Sequence, residues 1–205
     1  MIKVFEYSHL GGSEILQLRY PEINAQIDEV IGTVQLPKKT KVSKEKTRPG
    51  RLLYSPVELN RKFREEFHRR DFRELRDTFD ITIPGYPLTI RNAFKQIDFV
   101  RADVLVEVQF GKYAFMFYDL AKFQYFFNEQ KAQVGIEIVP THGLKKQMSS
   151  GVSFGEQLIH DIERLRRHFP AVPVKVILVD VEGARTGVEE AAETIADQEA
   201  DHVGR

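Results

Sequence analysis

Two carboxylates and an amide, Asp98, Glu107 and Gln109, stand at a spacing that suits a divalent cation. In QIDFVRADVLVEVQF, two runs with strand-like alternation meet at Ala102 and Asp103. A hairpin centred there pairs residues whose numbers sum to 205, so Asp98 lies opposite Glu107. Cross-strand partners have Cβ atoms about 5 Å apart, which allows two carboxylates to share one cation.

The second strand of this hairpin has a polar face and an apolar face. Gln109 follows Glu107 by two residues and therefore projects from the same face. The opposite face collects the apolar residues Val104, Val106, Val108 and Phe110, which suit a core. Two adjacent carboxylates repel, and one takes up a proton unless a metal neutralises the pair. On spacing alone, an exposed hairpin whose acids face water is an equal alternative.

The composition indicates one globular domain, over 1–182, followed by an acidic tail over 183–205. There is no run of eighteen apolar residues and no signal-peptide pattern at the start, so we expect a cytoplasmic protein with no membrane contact. The sequence has no cysteine, which excludes disulfides, thiolate metal sites and a cysteine nucleophile. Any metal would then be held by carboxylates, carbonyls, amides or histidine, which favours hard cations such as Mg²⁺.

The formal net charge of zero hides a segregation of charge. Residues 188–205 hold six acids and only Arg205 as a base, so the rest of the chain stands at +5. The segment 38–51 carries seven Lys or Arg residues against the single acid Glu45. Such a segment suits several phosphate contacts if its basic residues share a face. From charge alone, a solvated mobile loop is slightly the better interpretation.

Helical patterns precede the hairpin and alternate with strands after it. We predict helical structure over 13–31 with a break at Pro21, and a helix from the capping box at Ser55 through Leu75. A helix over 116–131 is apolar nearly all round and is expected to be buried. Another capping box, Ser153 with Glu156, starts a last helix that stops before Pro170.

Strand patterns occupy 80–85, 96–100, 104–110, 134–140 and 174–181. The order of the elements predicts an α/β fold in which a mixed central β-sheet is flanked by helices on both faces.

Six blocks of the sequence, in this order, resemble the BglII and BstYI group of type II restriction endonucleases, with the closer likeness to BstYI. The blocks are YSHL (7–10), SKEKT (43–47), LYSPVELN (53–60), DFV (98–100), EVQFGKY (107–113) and MSSG (148–151). The likeness covers most of residues 3–181 and implies a restriction endonuclease-like fold of the PD-(D/E)XK nuclease class.

The resemblance implies Mg²⁺-dependent hydrolysis of a phosphodiester in duplex DNA. Asp98, Glu107 and Gln109 are the implied catalytic residues, and Asp98, Glu107 and the carbonyl of Val108 the implied metal ligands. Gln109 stands where the wider class has lysine, as it does in the BglII and BstYI group. An amide accepts no proton near neutral pH, so the metal must activate the water. An upstream site residue is left open among Asp77, Asp80 and Asn92.

The resemblance also implies how DNA is read. In that group, residues near base edges in the major groove correspond to Lys112, Ser149 and Ser150. The alternative is that these are an ordinary surface lysine and a glycine-containing turn with no role in reading DNA. Lys44 and Lys46, within 38–51, would contact the DNA backbone. The implied assembly is a homodimer, with the 116–131 helix as part of its interface. The implied target is a palindromic six-base-pair site with a central GATC, cut to leave four-base 5′ overhangs, and its outer base pair is left open.

Two other functions remain as alternatives. One is a nuclease of the same fold that acts in repair or recombination without sequence specificity. The other is a catalytically inactive DNA-binding protein, which the glutamine at 109 suggests but the intact Asp98 and Glu107 oppose.

Overall fold

A six-stranded mixed sheet forms the centre of the computed structural model, which describes residues 1–46 and 48–181. Its strands are β1 (Ile2–His9), β4 (Arg73–Thr82), β5 (Thr89–Arg101), β6 (Val104–Val108), β7 (Val134–Pro140) and β8 (Val174–Asp180), and the spatial order is β1-β8-β7-β6-β5-β4. The three central strands β6, β7 and β8 are parallel, and the outer pairings are antiparallel. A separate two-stranded ribbon joins β2 (Lys41–Val42) to β3 (Leu52–Leu53). The predicted tail, 183–205, lies outside the described residues.

Helices cover both faces of the sheet, as the sequence predicted. They are α1 (Gly12–Arg19), α2 (Pro21–Thr33), α3 (Pro56–Arg69), α4 (Tyr113–Asn128), α5 (His142–Lys146) and α6 (Gly155–Leu165). Helices α1, α2, α3 and α5 pack on one face, around residues such as Ile27 and Phe63. Helices α4 and α6 pack on the other, around Phe123 and Ile162. No helix in the described ranges is long and apolar enough to cross a membrane.

The burial of each strand follows from its place in the sheet. Strands β7 and β8 are buried along their whole length because parallel strands carry helices on both faces, and both sequences are nearly continuous apolar runs. Strand β4 instead alternates between exposed and half-buried residues, as expected near an edge. Strand β1, which the sequence analysis did not assign, closes the other edge by pairing with β8.

Two of the predicted helix boundaries are confirmed by their local chemistry. Helix α2 restarts at Pro21 after the break. Helix α3 begins at Pro56, and the Ser55 hydroxyl accepts a hydrogen bond from the Glu58 backbone N–H at 3.4 Å. Helix α3 ends at Arg69, however, so the extension to Leu75 was wrong. The chain turns at Asp71, whose φ is +60°, and Leu75 then lies in β4.

The predicted capping box of the last helix is also wrong. Helix α6 begins at Gly155, and its N-cap residue Phe154 makes no side-chain cap hydrogen bond. The Glu156 carboxylate instead accepts from the His142 backbone N–H at 3.0 Å, at the start of α5. The Glu156 carboxylate, which the local pattern assigned to the cap, therefore binds a residue that is distant in the sequence. The helix ends at Leu165, before Pro170, as predicted.

The remaining differences are in element length. The predicted strand 80–85 covers only the end of β4, because residues 83–88 turn the chain back, and β5 begins at Thr89 rather than at 96. Helix α4 is shifted towards the N-terminus relative to 116–131, and beyond its end Gln130 has a φ of +56°.

Two helical glycines provide a matched test of the packing between α1 and the sheet. A Cβ added at Gly12 would lie 2.5 Å from the Val174 carbonyl carbon and oxygen. These are backbone atoms of β8, and they cannot move aside without disturbing the strand. A Cβ at Gly32 in α2 meets nothing within 4 Å. We expect Gly12→Ala to lower the free energy of unfolding by about 1–3 kcal/mol and Gly32→Ala to raise it by about 0.4–1 kcal/mol. Urea denaturation measures both, and equal effects would contradict the assigned contact.

Candidate active site

The hairpin of β5 and β6 has the predicted register. Its pairs are Phe99 with Val106, Val100 with Leu105, and Arg101 with Val104, whose numbers each sum to 205. Ala102 turns the chain with a φ of +48°. The Asp98 backbone N–H donates to Glu107 Oε1 at 3.4 Å, which places the two acidic residues side by side. The opposite face of β6 is apolar and lies in the core, as predicted.

Glu107 is buried, with 3% of its side chain exposed. Helix α4 packs over the face of the sheet from which Glu107 projects, whereas Asp98 stays half-buried. The alternative of a hairpin whose two acids both face water is therefore wrong for Glu107. A carboxylate removed from water needs a cation or hydrogen-bond donors nearby.

Helix α4 supplies two charged residues that the sequence analysis missed. Lys122 Nζ contacts Glu107 Oε1 and lies 2.8 Å from Asp119 Oδ1. Gln109 Nε2 donates to Asp119 Oδ2 at 3.0 Å. The four side chains form one connected row, Glu107 to Lys122 to Asp119 to Gln109. The available signal was a pair of charges, three residues apart, on a helix that is otherwise apolar nearly all round.

The position of Gln109 depends on its own strand and on a glycine. Its backbone N–H donates to the Ile138 carbonyl at 2.9 Å, which continues the pairing of β6 with β7. A Cβ at Gly111 would lie 2.4 Å from Gln109 Oε1. Gly111 therefore leaves the room that the folded-back amide occupies.

A third carboxyl group, Glu137 on β7, completes the cluster and was also missed. It is the register partner of Glu107, it is fully buried, and neither of its carboxylate oxygens has a hydrogen-bond partner in the described residues. Burial, with the negative charges of Asp119 and Glu107, raises the pKa of Glu137 well above its ordinary value. The signal for it was a glutamate inside the otherwise apolar strand VGIEIVP.

The other members of the cluster are shifted by the same forces. Burial, followed by the charge of Asp119, raises the pKa of Glu107, although Lys122 opposes the shift. Burial likewise raises the pKa of Asp119. For Lys122, burial works to lower the pKa, but Glu107 and Asp119 raise it by more. Three buried carboxyl groups thus lie around a single ammonium group, and the cluster is short of positive charge unless protons, which the raised pKa of Glu137 favours, make up the difference.

This shortage fits a divalent cation, and the hard oxygen donors suit Mg²⁺. Within 1–46 and 48–181, no three His, Asp or Glu side chains are grouped so that they could hold a metal by themselves. The residues that would hold Mg²⁺ are then Asp98, Glu107 and, through its carbonyl, Val108, which lies between Glu107 and Gln109 in the chain. Mg²⁺ commonly takes one or two carboxylates and completes its shell with water and phosphate.

Two loops meet beside the end of β6 where this cluster lies. The Ser153 backbone N–H donates to the Gly111 carbonyl at 2.8 Å and so joins the 148–153 loop to the loop that carries Lys112. The side chains of Lys112 and Ser150 are exposed, and Ser149 is half-exposed. The predicted DNA-reading residues are thereby on neighbouring loops.

The basic segment 38–51 is tethered to the same place rather than loose. Lys41 Nζ donates to Ser149 Oγ at 2.5 Å, and Glu45 Oε1 accepts from the Ser150 backbone N–H at 2.6 Å. That bond, together with Arg48, lowers the pKa of Glu45 to about 2. Lys44 and Lys46 remain exposed on the tethered segment.

Comparison with known proteins decides the family. Residues 4–179 match the model of the family described as restriction endonuclease BglII/BglIII. The chain belongs to this family. It is therefore a type II restriction endonuclease, a hydrolase that acts on DNA, and the resemblance to the BglII group is confirmed.

Individual relatives agree with this assignment. The type II restriction enzyme BglII of Bacillus subtilis is 25% identical over 206 residues, which cover 96% of this chain and 83% of that protein. The crystal structure of BglII complexed with a DNA 16-mer superposes with a TM-score of 0.68 at 21% identity, covering 88% of this chain and 79% of that one. The structure of free BglII gives 0.62 at 19% identity, with coverage of 88% and 81%. These structures confirm the helix-flanked mixed sheet.

Two of the three candidates for an upstream site residue, Asp77 and Asp80, have side chains that contact other partners in this restriction endonuclease. Asp77 accepts from the Tyr125 hydroxyl at 2.7 Å and pairs with Lys131 at 2.8 Å. Asp80 Oδ1 accepts from the Asn92 backbone N–H at 3.0 Å. The side chain that contacts Gln109 and Lys122 is Asp119, which was not among the three.

The interface predicted for the 116–131 helix stays a prediction. Helix α4 packs one face against the sheet, but most of its residues are half-buried or exposed, so the expected burial holds for that face only. Phe115 and Tyr118 are exposed on the outer face.

The raised pKa of Glu137 predicts how stability depends on pH. A folded-state pKa above the unfolded value near 4.5 means that the folded protein holds a proton which the unfolded chain loses, so stability falls as pH rises between the two values. The slope is about 1.4 kcal/mol per pH unit at most. We expect Glu137→Gln to melt above the native protein at pH 8, with the difference shrinking towards pH 5. Thermal unfolding across pH measures this.

The control is Glu65→Gln, because Glu65 is an exposed partner of Arg61 on α3. Its melting temperature should track that of the native protein at every pH. A constant offset between Glu137→Gln and the native protein would show that Glu137 is ionised in the fold.

Proposed function

We propose that this restriction endonuclease cleaves DNA with Mg²⁺ held by Asp98, Glu107 and the Val108 carbonyl. The observation that carries the proposal is the buried Glu107, which lies beside Asp98 in a cluster short of positive charge. When bound there, Mg²⁺ would lower the pKa of the attacking water and offset the charge that develops on the phosphate. Asp98 is half-buried and can therefore reach both the metal and the solvent-facing DNA.

Gln109 would orient the attacking water or the phosphate. Its amide nitrogen is held by Asp119, so its orientation is fixed before DNA arrives. The amide oxygen can accept a hydrogen bond from water but cannot remove its proton. Gln109 therefore acts through position, and a side chain acting as general base is not required at this place.

The DNA-reading surface is proposed to consist of Lys112, Ser149 and Ser150, with Lys44 and Lys46 on the DNA backbone. Lysine donates to guanine O6 or purine N7, and serine can serve as donor or acceptor, so these residue types suit the major groove. The contacts from Ser153 to Gly111 and from Lys41 to Ser149 hold the three loops together. The relative of known structure bound to a DNA 16-mer supports the use of duplex DNA.

The proposed target is a six-base-pair palindrome with a central GATC, cut to leave 5′ overhangs by a homodimer. The six sequence blocks support this target, and the nearer likeness to BstYI remains a prediction. A palindrome calls for a two-fold symmetric enzyme, with one active site for each strand. Phe115 and Tyr118 on α4 are the proposed apolar contribution to the dimer contact.

The decisive test is digestion of plasmid DNA followed by sequencing of the fragment ends. We expect discrete fragments with GATC at the cut ends, formed only with Mg²⁺ and not with chelator. Glu107→Ala should slow cleavage by at least about 100-fold while binding the same DNA in a mobility shift without metal.

Glu65→Ala, which removes an exposed carboxylate of α3, serves as the control and should cut at the native rate. A smear of random lengths would support the non-specific nuclease instead. DNA binding without any cleavage would support the inactive DNA-binding protein. Native rates from Glu107→Ala would remove the proposed metal site.

The backbone contacts have a separate signature in the salt dependence of binding. Each phosphate contact adds about 0.9 to the slope of log affinity against log salt concentration. The double variant Lys44→Ala, Lys46→Ala should lower that slope by about 1–2 and leave the cut sequence unchanged. Arg167→Ala is the control, because exposed Arg167 lies between α6 and β8, at the end of the parallel strands opposite to the loop after β6. An unchanged slope in the double variant would place 38–51 away from DNA.

A further inference from the structure

We propose that Lys122 is a positioning residue of the active site, which holds Glu107 and Gln109 in place from helix α4. The inference rests on the proposed function, since it concerns the same metal-binding carboxylate. Lysine is absent from position 109, where the wider nuclease class has it, and Lys122 brings an ammonium group to the cluster from a different element.

The contacts of Glu107 show what Lys122 does to it. Both hydrogen bonds that Glu107 accepts, from Lys122 Nζ and from the Asp98 backbone N–H, fall on Oε1. Within the described ranges, Oε2 accepts none. Two donors on one oxygen fix the rotation of the carboxylate and leave the other oxygen for a metal.

The second contact of Lys122 reaches Gln109. Lys122 Nζ lies 2.8 Å from Asp119 Oδ1, and Asp119 Oδ2 accepts from Gln109 Nε2 at 3.0 Å. Asp119 and Lys122 are one helical turn apart, so α4 delivers both as a unit. A single ammonium group thus orients one residue proposed to bind the metal and, through Asp119, one residue proposed to orient the water.

Fold stability is a weaker explanation for these contacts. Lys122 is only 12% exposed, and the desolvation of a buried ion pair offsets most of its attraction. Elsewhere in the chain, Lys3 bridges Glu6 at 2.5 Å and Asp28 at 2.7 Å, but at the protein surface. Lys3 has the same chemistry as Lys122 without a site to organise, and it therefore makes a matched control.

The experiment compares Lys122→Met, Lys122→Arg and Lys3→Met in three measurements. Single-turnover cleavage and the KM for DNA separate the chemical step from binding. Calorimetry then titrates Mg²⁺ into the enzyme bound to a duplex with a non-hydrolysable linkage at the mapped cut. The melting temperature reports the fold.

We expect Lys122→Met to lower kcat and Mg²⁺ affinity by about 10–100-fold each, the usual loss when a group supporting a metal ligand is removed. The KM for DNA should stay within twofold. Lys122→Arg keeps the charge and the donors and should recover most of the loss. Lys3→Met should lower the melting temperature without changing kcat or Mg²⁺ affinity.

Three results would overturn the proposal. The first is native kcat and Mg²⁺ affinity in Lys122→Met. The second is tighter Mg²⁺ binding by Lys122→Met, which would make Lys122 only a competitor of the metal. The third is a loss of kcat and Mg²⁺ affinity in Lys122→Arg that equals the loss in Lys122→Met. Should Lys122→Met not fold, Asp119→Asn tests the same row. Asparagine has one acceptor oxygen and one NH2 donor, so it cannot accept from both Lys122 and Gln109 as Asp119 does, and unchanged kcat and Mg²⁺ affinity there would also overturn the proposal. Glu107→Ala is assayed beside these variants. Native cleavage by Glu107→Ala would contradict the proposed function. Loss of cleavage in Glu107→Ala but not in the Lys122 variants would contradict only the role of Lys122.

Discussion

The burial of Glu107 under helix α4 is the constraint on which the rest of the site depends. Strand β6 points an apolar face into one core and Glu107 towards the other, so the packing that stabilises the domain also desolvates a carboxylate. Desolvation of a charge is costly unless a cation or a proton compensates it. Lys122 provides one cation, and Glu137 adds a further carboxyl group whose raised pKa favours a proton. The fold therefore makes a site whose carboxyl groups need protons or a further cation to offset their charge.

The parallel pairing of β6 with β7 and the position of α4 perform different tasks in this site. The pairing sets Glu137 beside Glu107 and continues to Gln109, whose backbone binds Ile138. Helix α4 covers the pair and supplies Asp119 and Lys122. Because the parallel strands β6 and β7 end at the same end of the sheet, the loop after β6 meets the loop after α5 there, and the surface proposed to read DNA lies next to the carboxylates. Lys112, which is proposed to read DNA, is thus only a few residues along the chain from Glu107, which is proposed to bind the metal.

The sequence predicted what is local and missed what depends on distant parts of the chain. The register that sets Asp98 beside Glu107 follows from a short hairpin, in which the turn fixes every pair. Lys122 enters the site through the packing of α4, and Glu137 enters it through the parallel pairing of β7 with β6. No local sequence pattern predicts either contact. The capping box at Ser153 failed for the same reason, because the Glu156 carboxylate found a tertiary partner. The six blocks identified the family correctly, since they sample the chain over its whole length.

The glutamine at position 109 and the lysine at position 122 are best understood together. Asp119 already holds Lys122 on Oδ1 and the Gln109 amide on Oδ2. Asp119 therefore ties position 109 on β6 to position 122 on α4, so a change at either residue alters the hydrogen bonding of the other. Gly111 meanwhile leaves room for an amide that folds back. A neutral donor fits the space at 109, and the positive charge of this cluster comes instead from Lys122 on α4.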